Sequence, residues 1–217
     1  MNLKIILCGQ RSFGAAVYSE LAKTDHEIAA VYAPIGDKLH SHASLCGEDV
    51  RESGTLRSET MPKDCDIIVA AHSHDFVSRA VRNNLRVGAV GYHPSLLPRH
   101  KGRDSVAWTI KMGDPVCGGS VYWLNDSVDG GPIAKQDWRW VLPNDTAKEL
   151  WRRELFPLGV KMLISVVGDI AGGSAIMIDQ QEGAETWEPS LSGAPRLHRP
   201  ELMQIGASAK GITVFKD

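Results

Sequence analysis

Apolar runs of strand length alternate with segments whose apolar residues recur every three or four positions along the first half of the chain. The run LKIILCG, residues 3–9, predicts a buried strand. In the segment after it, Phe13, Val17 and Leu21 lie four positions apart, which predicts a helix with one apolar face. The run HEIAAVYAP, residues 26–34, predicts a second strand. This strand–helix–strand order favours a parallel pair of strands joined by a crossover helix.

The same two patterns continue to residue 141. Residues 35–62 are polar and mixed and leave room for one short helix. The tight turn Gly130–Gly131 separates two extended segments, which predicts a strand pair. The elements predicted after residue 62 are a strand over 65–73, a helix over 75–84, a strand over 86–94, a helix over 105–114 with Val106, Trp108 and Ile110 facing inward, and extended segments over 118–125 and 131–141.

Residues 144–173 carry the longest helical pattern of the chain. Asn144 or Asp145 is the predicted N-cap, Pro157 should kink or split the helix, and Gly172 should help to end it. From residue 174 onward, prolines mixed with glycine and serine predict an irregular arm over the surface. The predicted fold class is therefore α/β, with one open, mostly parallel, twisted sheet of about six or seven strands and helices on both faces.

Composition and charge narrow the class of protein without identifying it. The chain has 217 residues, of which 43% are hydrophobic and 23% charged, which suits one globular domain. Its net charge of −2 gives no argument for nucleic-acid binding. The N-terminal apolar run is too short for a signal peptide and no window reaches membrane-spanning length, so we expect a cytoplasmic protein without a membrane partner. The four cysteines are widely spaced, with no CxxC motif, and indicate neither a zinc site nor a disulfide framework.

Two short stretches carry the candidate chemistry. In VGAVGYHPSLLPRHKGRDS, residues 87–105, a buried strand ends at His93 and a loop with several basic residues follows. Open α/β sheets place their sites at the carboxyl ends of strands, which makes His93 a candidate catalytic residue. In NDSVDGGPI, residues 125–133, Asp129 precedes two glycines. Taken alone, His93 could be a strand-end histidine paired with backbone, and Asp129 a turn aspartate.

Together, YHPSLLPRHKG and DGGPI resemble the folate-dependent formyltransferase family. That family includes glycinamide ribonucleotide, methionyl-tRNA and sugar-amine formyltransferases, and the amino-terminal hydrolase domain of 10-formyltetrahydrofolate dehydrogenase, which this chain resembles most. The resemblance implies a Rossmann-like formyltransferase domain over residues 1–188, followed by an irregular Pro- and Gly-containing arm over 189–217. It also implies that His93 and Asp129 are the catalytic pair and that N10-formyltetrahydrofolate is the co-substrate, with no metal.

The sequence departs from the family pattern at one catalytic position. The family carries an asparagine two residues before the histidine, where this chain has Gly91. A preorganised donor to the developing oxyanion is worth about 3 kcal/mol, and glycine offers no side-chain donor. The hydrolase domain also departs here, with an apolar residue. The leading hypothesis is formyl transfer to the amine of a small-molecule acceptor. Hydrolysis to formate and tetrahydrofolate, or a folate-binding module with weak catalysis, stays open.

The remaining candidate residues concern binding. Gln10, Arg11 and Ser12 precede the first helix, where an anionic acceptor group would be favoured, although Arg11 could also be a solvated loop residue. Transfer RNA is not expected as the acceptor, because no basic surface and no further carboxy-terminal domain are evident. Trp138 and Trp140 should share one strand face, used for core packing, a subunit interface or an acceptor wall, and a homodimer stays open. The family match assigns folate contacts to Ala71, His72, Ser73, Leu96, Asp126 and Val128.

Overall fold

A mostly parallel β-sheet forms the centre of the molecule. The structure is a computed structural model, and it describes residues 1–73 and 75–191. Over this part of the chain the sheet has seven strands. They are β1 (Lys4–Gly9), β2 (Glu27–Ala33), β3 (Val50–Glu52), β4 (Ile67–Ala71), β5 (Gly88–His93), β6 (Val116–Trp123) and β7 (Ile133–Trp140).

Helices connect the strands and cover the sheet. They are α1 (Arg11–Leu21), α2 (Lys38–Leu45), α3 (Arg79–Asn83), α4 (Ser105–Lys111), α5 (Ala147–Leu150) and α6 (Phe156–Ala171), with a π-helical turn at Trp151–Leu155 between the last two. Among the described residues, no helix is long and apolar enough to cross a membrane.

The strand order is β3-β2-β1-β4-β5-β6-β7. The first five of these strands are parallel, whereas β6 is antiparallel to β5 and β7 is antiparallel to β6. The predicted open, mostly parallel sheet of six or seven strands is therefore confirmed. Strand β3 is an addition, because the polar segment that contains it was predicted to hold only a helix. The order reverses between β1 and β4, so the carboxyl ends of these strands open a crevice.

The continuous apolar run of β1 has a direct cause in the packing. Ile5 and Leu7 belong to the larger core cluster on one face of the sheet, while Ile6 and Cys8 belong to a second cluster on the other face. A strand buried on both faces needs apolar residues at every position, which removes the period-2 alternation. The carboxyl end of β1 is thereby fixed in the centre of the sheet.

The long helical pattern is divided, and its start differs from the prediction. Thr146 is the N-cap of α5 and forms a capping box with Glu149, so the prediction of Asn144 or Asp145 was wrong. The hydrogen bonding of the helix changes at the π-helical turn, just before Pro157, and α6 begins at Phe156 with Pro157 in its first turn. The backbone stays helical through this turn, and the amide of Phe156 donates to the carbonyl of Trp151 five residues earlier. Gly172 caps the carboxyl end, as predicted.

Two predictions of burial need correction. In α4 the fully buried side chains are Ser105 and Thr109, while Val106 and Ile110 are half-buried and pack against the larger core cluster, as predicted; Trp108 is half-buried and is not part of that packing. Trp138 and Trp140 do lie together, with ring centroids 5.0 Å apart in an edge-to-face arrangement. They are 50% and 61% exposed, which contradicts core packing. A subunit interface or an acceptor wall stays a prediction for these rings.

The segment after α6, residues 174–191, crosses back over the loops at the end of the sheet, and we call it the strap. Trp123 Nε1 donates to the Ile176 carbonyl at 2.9 Å, and Trp108 Nε1 donates to the Pro189 carbonyl at 2.8 Å. The amide of Leu191 donates to Asp104 Oδ2 at 2.9 Å. Only residues 189–191 of the predicted arm lie within the described part of the chain; the remainder lies outside it.

Candidate active site

His93 is the last residue of β5 and is buried, with 7% of its surface exposed. Its Nε2 lies 2.7 Å from the carbonyl oxygen of His100, which can only accept a hydrogen bond. Nε2 therefore carries a proton. The other ring nitrogen, Nδ1, lies 3.5 Å from Asp129 Oδ2. Nδ1 is consequently the nitrogen that gains or loses a proton, and it faces a carboxylate.

The Asp129 carboxylate is held from two further directions. Tyr122 donates its hydroxyl to Oδ1 at 2.6 Å, and the amide of Gly102 donates to Oδ2 at 2.7 Å. Burial, together with the Asp129 charge and hydrogen bond, raises the pKa of Tyr122 well above its usual value, so this tyrosine stays a donor. Each oxygen of the Asp129 carboxylate thus accepts a hydrogen bond from an uncharged donor. The negative charge of the carboxylate remains available to interact with the His93 ring.

The backbone around Asp129 explains why the two glycines follow it. Asp129 has a φ of +49°, in the left-handed region. A Cβ at Gly131 would lie 1.7 Å from the carbonyl oxygen of Trp123, so the chain can pass there only without a side chain. Gln180 of the strap donates its Nε2 to the carbonyl of Asp129 at 2.7 Å and to that of Gly131 at 2.8 Å. The turn that carries the carboxylate is therefore fixed by the strap.

A cavity of about 420 Å³ lies beside the pair. It brings together seven of the residues predicted from the sequence to act in catalysis or binding. They are Arg11, His72, Ser73, Gly91, His93, Val128 and Asp129.

Three predicted folate contacts lie outside this cavity's lining. Ala71 is buried in β4, and its neighbour Ala70 lines the cavity instead. Leu96 lines a separate cavity of about 200 Å³ behind the loop after β5. Asp126 is engaged in ion pairs with Arg79 and Arg82. Their roles in folate binding stay predictions.

The amino end of α1, predicted to receive an anionic group, already holds one from the chain itself. The amide of Arg11 donates to Asp37 Oδ1 at 2.7 Å, and Lys38 Nζ donates to Ser12 Oγ at 3.2 Å. Gln10 is the N-cap residue but contributes no side-chain capping bond. Of the three residues predicted here, only Arg11 lines the cavity with His93.

The wall beside Gly91 is apolar. A Cβ built on Gly91 would lie 3.1 Å from Leu124 Cδ2 and 3.6 Å from Tyr122 Cε1. Gly91 and His93 are two positions apart on one strand, so side chains at these positions point to the same face. Leu124 therefore occupies part of the space that an asparagine at position 91 would use.

Sequence reasoning missed the residues that hold the pair in place. Tyr122 could have been found, because β6 pairs antiparallel with β5 and sets Tyr122 opposite Gly91. Gln180 and the His100 carbonyl carried no such signal, since their contacts depend on the strap and on the path of a loop. Within the described part of the chain, no group of three or more His, Cys, Asp or Glu residues could hold a metal ion.

Comparisons with known proteins find related sequences. Residues 14–167 match the model of the Formyl transferase family. The chain is 35% identical over 205 residues to the mitochondrial 10-formyltetrahydrofolate dehydrogenase of Mus musculus, covering 86% of this chain and 22% of that protein. It is 29% identical over 196 residues to the methionyl-tRNA formyltransferase of Methylobacterium nodulans, covering 83% of this chain and 63% of that protein.

Solved structures show the same fold. An N-formyltransferase of Helicobacter canadensis, in complex with folinic acid and dTDP-3-aminofucose, has a TM-score of 0.73 at 16% identity, covering 86% of this chain and 70% of that one. Glycinamide ribonucleotide transformylase 1 of Symbiobacterium toebii has a TM-score of 0.69 at 19% identity, covering 82% and 95%.

Proposed function

The chain belongs to the formyl transferase family, and from this premise we propose that it transfers the formyl group of N10-formyltetrahydrofolate to an amine of a small-molecule acceptor. The observation that carries the proposal is the pairing of His93 and Asp129 in one cavity, with His93 Nδ1 3.5 Å from Asp129 Oδ2. Family membership confirms the resemblance noted from the sequence. The acceptor and the roles of the two residues are the proposed part.

The hydrogen bonds of His93 and Asp129 suit a reaction that passes through a tetrahedral intermediate. The acceptor nitrogen attacks the formyl carbon, and the electron pair of the C=O bond moves to oxygen. His93, with Nε2 tied to the His100 carbonyl, presents its Nδ1 side to this oxyanion as an imidazolium. Asp129 orients the ring and accepts the proton that leaves the attacking nitrogen. The oxyanion then re-forms the C=O bond, the bond from the formyl carbon to N10 breaks, and N10 takes the proton that Asp129 accepted, giving tetrahydrofolate and a formamide.

The cavity offers surfaces of the right kind for the folate co-substrate. His72, with a φ of +59°, and Ser73 follow the carboxyl end of β4 and line the cavity on one side. Val128 lines it next to Asp129. These loop residues would hold the pterin, and the formyl group it carries supplies the electrophilic carbon.

Water is the second candidate acceptor, and two observations favour it. The wall beside Gly91 is apolar, so the oxyanion has no amide donor there. The amino end of α1 is occupied by the Asp37 carboxylate, which disfavours an acceptor phosphate at this place. The reaction would then release formate and tetrahydrofolate from the same His93–Asp129 pair.

Acceptor-free turnover separates these functions. Conversion of 10-formyltetrahydrofolate to tetrahydrofolate is followed by absorbance, with and without a panel of small amines. Activity should be lost in His93→Ala and Asp129→Asn and kept in Asp25→Asn, a matched change at an exposed site. Turnover that requires an amine supports transfer, and formate release without one supports hydrolysis. Folate binding without turnover in either condition would refute both and leave a binding module.

The proposal includes the compartment and the pathway class. All four cysteines are free, which is compatible with a reducing cytoplasm. A reaction on N10-formyltetrahydrofolate would place the protein in one-carbon metabolism. The chain spans only 22% of the dehydrogenases it matches, so their whole activity is not transferred to it.

A further inference from the structure

The side chain of His100 is buried between carboxylates from two different segments, while its backbone carbonyl contacts His93. Building on the proposed function, we propose that His100 and Glu188 are positioning residues. They fasten the strap to the loop after β5, and this attachment holds the carbonyl that fixes the proton on His93 Nε2.

The charges around His100 form a closed cluster. His100 is 2% exposed, and its Nε2 lies 2.9 Å from Asp114 Oδ2. Its Nδ1 lies 3.0 Å from Glu188 Oε1, at ion-pair distance although not aligned for a hydrogen bond. Arg99 donates two hydrogen bonds to Asp114, at 2.8 and 2.7 Å. Two carboxylates thus face one guanidinium and one imidazole, and the cluster is neutral only when that imidazole is charged.

The protonation of these groups follows from the same contacts. Burial alone lowers the pKa of His100, but its contacts with Glu188 and Asp114 outweigh burial and raise the pKa above the usual value. Burial acts to raise the pKa of Glu188, and the proximity of His100 and Thr186 lowers it overall. A carboxylate oxygen lies within 3.0 Å of each ring nitrogen, so the surroundings favour the charged form of His100, which ties a strap carboxylate to the loop.

The backbone of the loop depends on the strap as well. His100 has a φ of +54°, a left-handed conformation that is unfavourable for a residue with a side chain. Its amide donates to Thr186 Oγ1 at 2.8 Å, and the amide of Lys101 donates to the Thr186 carbonyl at 3.0 Å. The Thr186 amide in turn donates to the Pro98 carbonyl at 3.1 Å. The strap therefore holds the unfavourable backbone through the hydroxyl and the main chain of Thr186, and the ion cluster holds the side chain.

One hydrogen bond, from His93 Nε2 to the His100 carbonyl, links this attachment to the catalytic ring. A carboxylate 3.5 Å from His93 Nδ1 favours a proton on Nδ1, and without another partner the neutral ring would place its only proton there. The His100 carbonyl, at 2.7 Å from Nε2, opposes this preference by requiring a proton on Nε2. Movement of that carbonyl would shift the proton of the neutral His93 ring from Nε2 towards Nδ1 and leave the ring free to turn.

Replacing Glu188 by glutamine tests this coupling in the full chain. E188Q keeps the size of the side chain and removes its charge, and Glu185→Gln makes the same change at an exposed position of the strap. Long-range ¹H–¹⁵N NMR reports the protonation of each His93 nitrogen, and steady-state kinetics with 10-formyltetrahydrofolate reports kcat and KM. We expect loss of full protonation at His93 Nε2 in E188Q. We also expect kcat to fall roughly 10- to 100-fold, as misplacement of a catalytic group by about 1 Å can cause, with KM little changed. E185Q should match the wild type, and Glu188→Asp should restore part of kcat.

The NMR result is independent of turnover. If the wild-type protein shows no activity on folate, the proposed function fails while the protonation of His93 still decides the positioning role. A fully protonated Nε2 and an unchanged kcat in E188Q would overturn the inference. Should E188Q not fold, Thr186→Val removes the hydroxyl that accepts from the His100 amide and serves for the same two measurements.

Discussion

An amide donor introduced at position 91 should strengthen catalysis if the side chain of Leu124 is shortened at the same time. Gly91 lines the cavity with His93, and a side chain at position 91 would point to the same face of β5. An asparagine there could donate to the oxyanion that develops on the formyl group. The variant to make is therefore the double substitution Gly91→Asn with Leu124→Ala.

The magnitude follows from two opposing effects. A Cβ at position 91 would meet Leu124 Cδ2 at 3.1 Å, so the single change Gly91→Asn overpacks the wall and should cost about 1–3 kcal/mol of stability. Shortening Leu124 relieves this contact. A fully preorganised oxyanion donor is worth about 2.7–4 kcal/mol, or about 100- to 1,000-fold in kcat. Because the introduced amide lacks supporting hydrogen bonds, we expect a gain below this range, roughly 10- to 100-fold over Leu124→Ala alone.

Absorbance-followed conversion of 10-formyltetrahydrofolate measures the gain in kcat. Gly91→Ala with Leu124→Ala is the matched control, because it fills the space without a donor. Circular dichroism and folate binding establish that each variant is folded and competent. Gly91→Asn with Leu124→Ala would refute the assignment of Gly91 to the catalytic site if it bound folate but gained no kcat over the alanine control. Position 91 would then not face the reacting oxygen.

Three further predictions concern the groups around the site. Tyr122→Phe removes a hydrogen bond to a carboxylate, worth about 1.5–3 kcal/mol, and should lower kcat by roughly 10- to 100-fold with folate binding kept; an unchanged kcat would mean that Asp129 is held well enough without it. Since the pKa of His100 is raised, the stabilisation from its pairing with Glu188 is fully present below about pH 6.5 and is lost as pH rises through the raised value. The difference in free energy of unfolding between wild type and E188Q, measured by urea denaturation, should therefore shrink from pH 6 towards pH 9, and a constant difference would contradict the cluster. Asp37→Ala removes the carboxylate that caps α2 and bonds the Arg11 amide, so it should lower the free energy of unfolding by about 1 kcal/mol, and an unchanged urea midpoint would argue against this role.

The sheet and the positions of His93 and Asp129 could be predicted because their signals are local. Strand β5 is an apolar run that stops at His93, and Asp129 precedes two glycines in a turn that needs them. Strand β3 was missed because it has three residues in a polar segment and is defined by its pairing with β2. The capping box of Thr146 and Glu149 could have been predicted, because the two residues have the three-residue spacing of that motif. Asn144 or Asp145 was chosen as the N-cap instead, in error.

The occupancy of the α1 amino end could not be predicted in the same way. The local pattern correctly places Arg11 and Ser12 where an anion is favoured. The anion that arrives is Asp37, 26 residues later, through the path of β2 and the turn after it. A short sequence motif describes what a helix end can bind, but only the fold shows whether the chain already supplies the ligand.

The candidate active site depends on residues of the strap as well as on His93 and Asp129. The family match ends at residue 167, before the strap begins, and it includes both His93 and Asp129. Gln180 nevertheless holds the turn of Asp129, and Thr186 and Glu188 hold the loop whose carbonyl binds His93. The seven strands of the described part of the chain precede the strap, so β5 and the loop after β6 supply the candidate pair while a segment outside the matched region holds it in place.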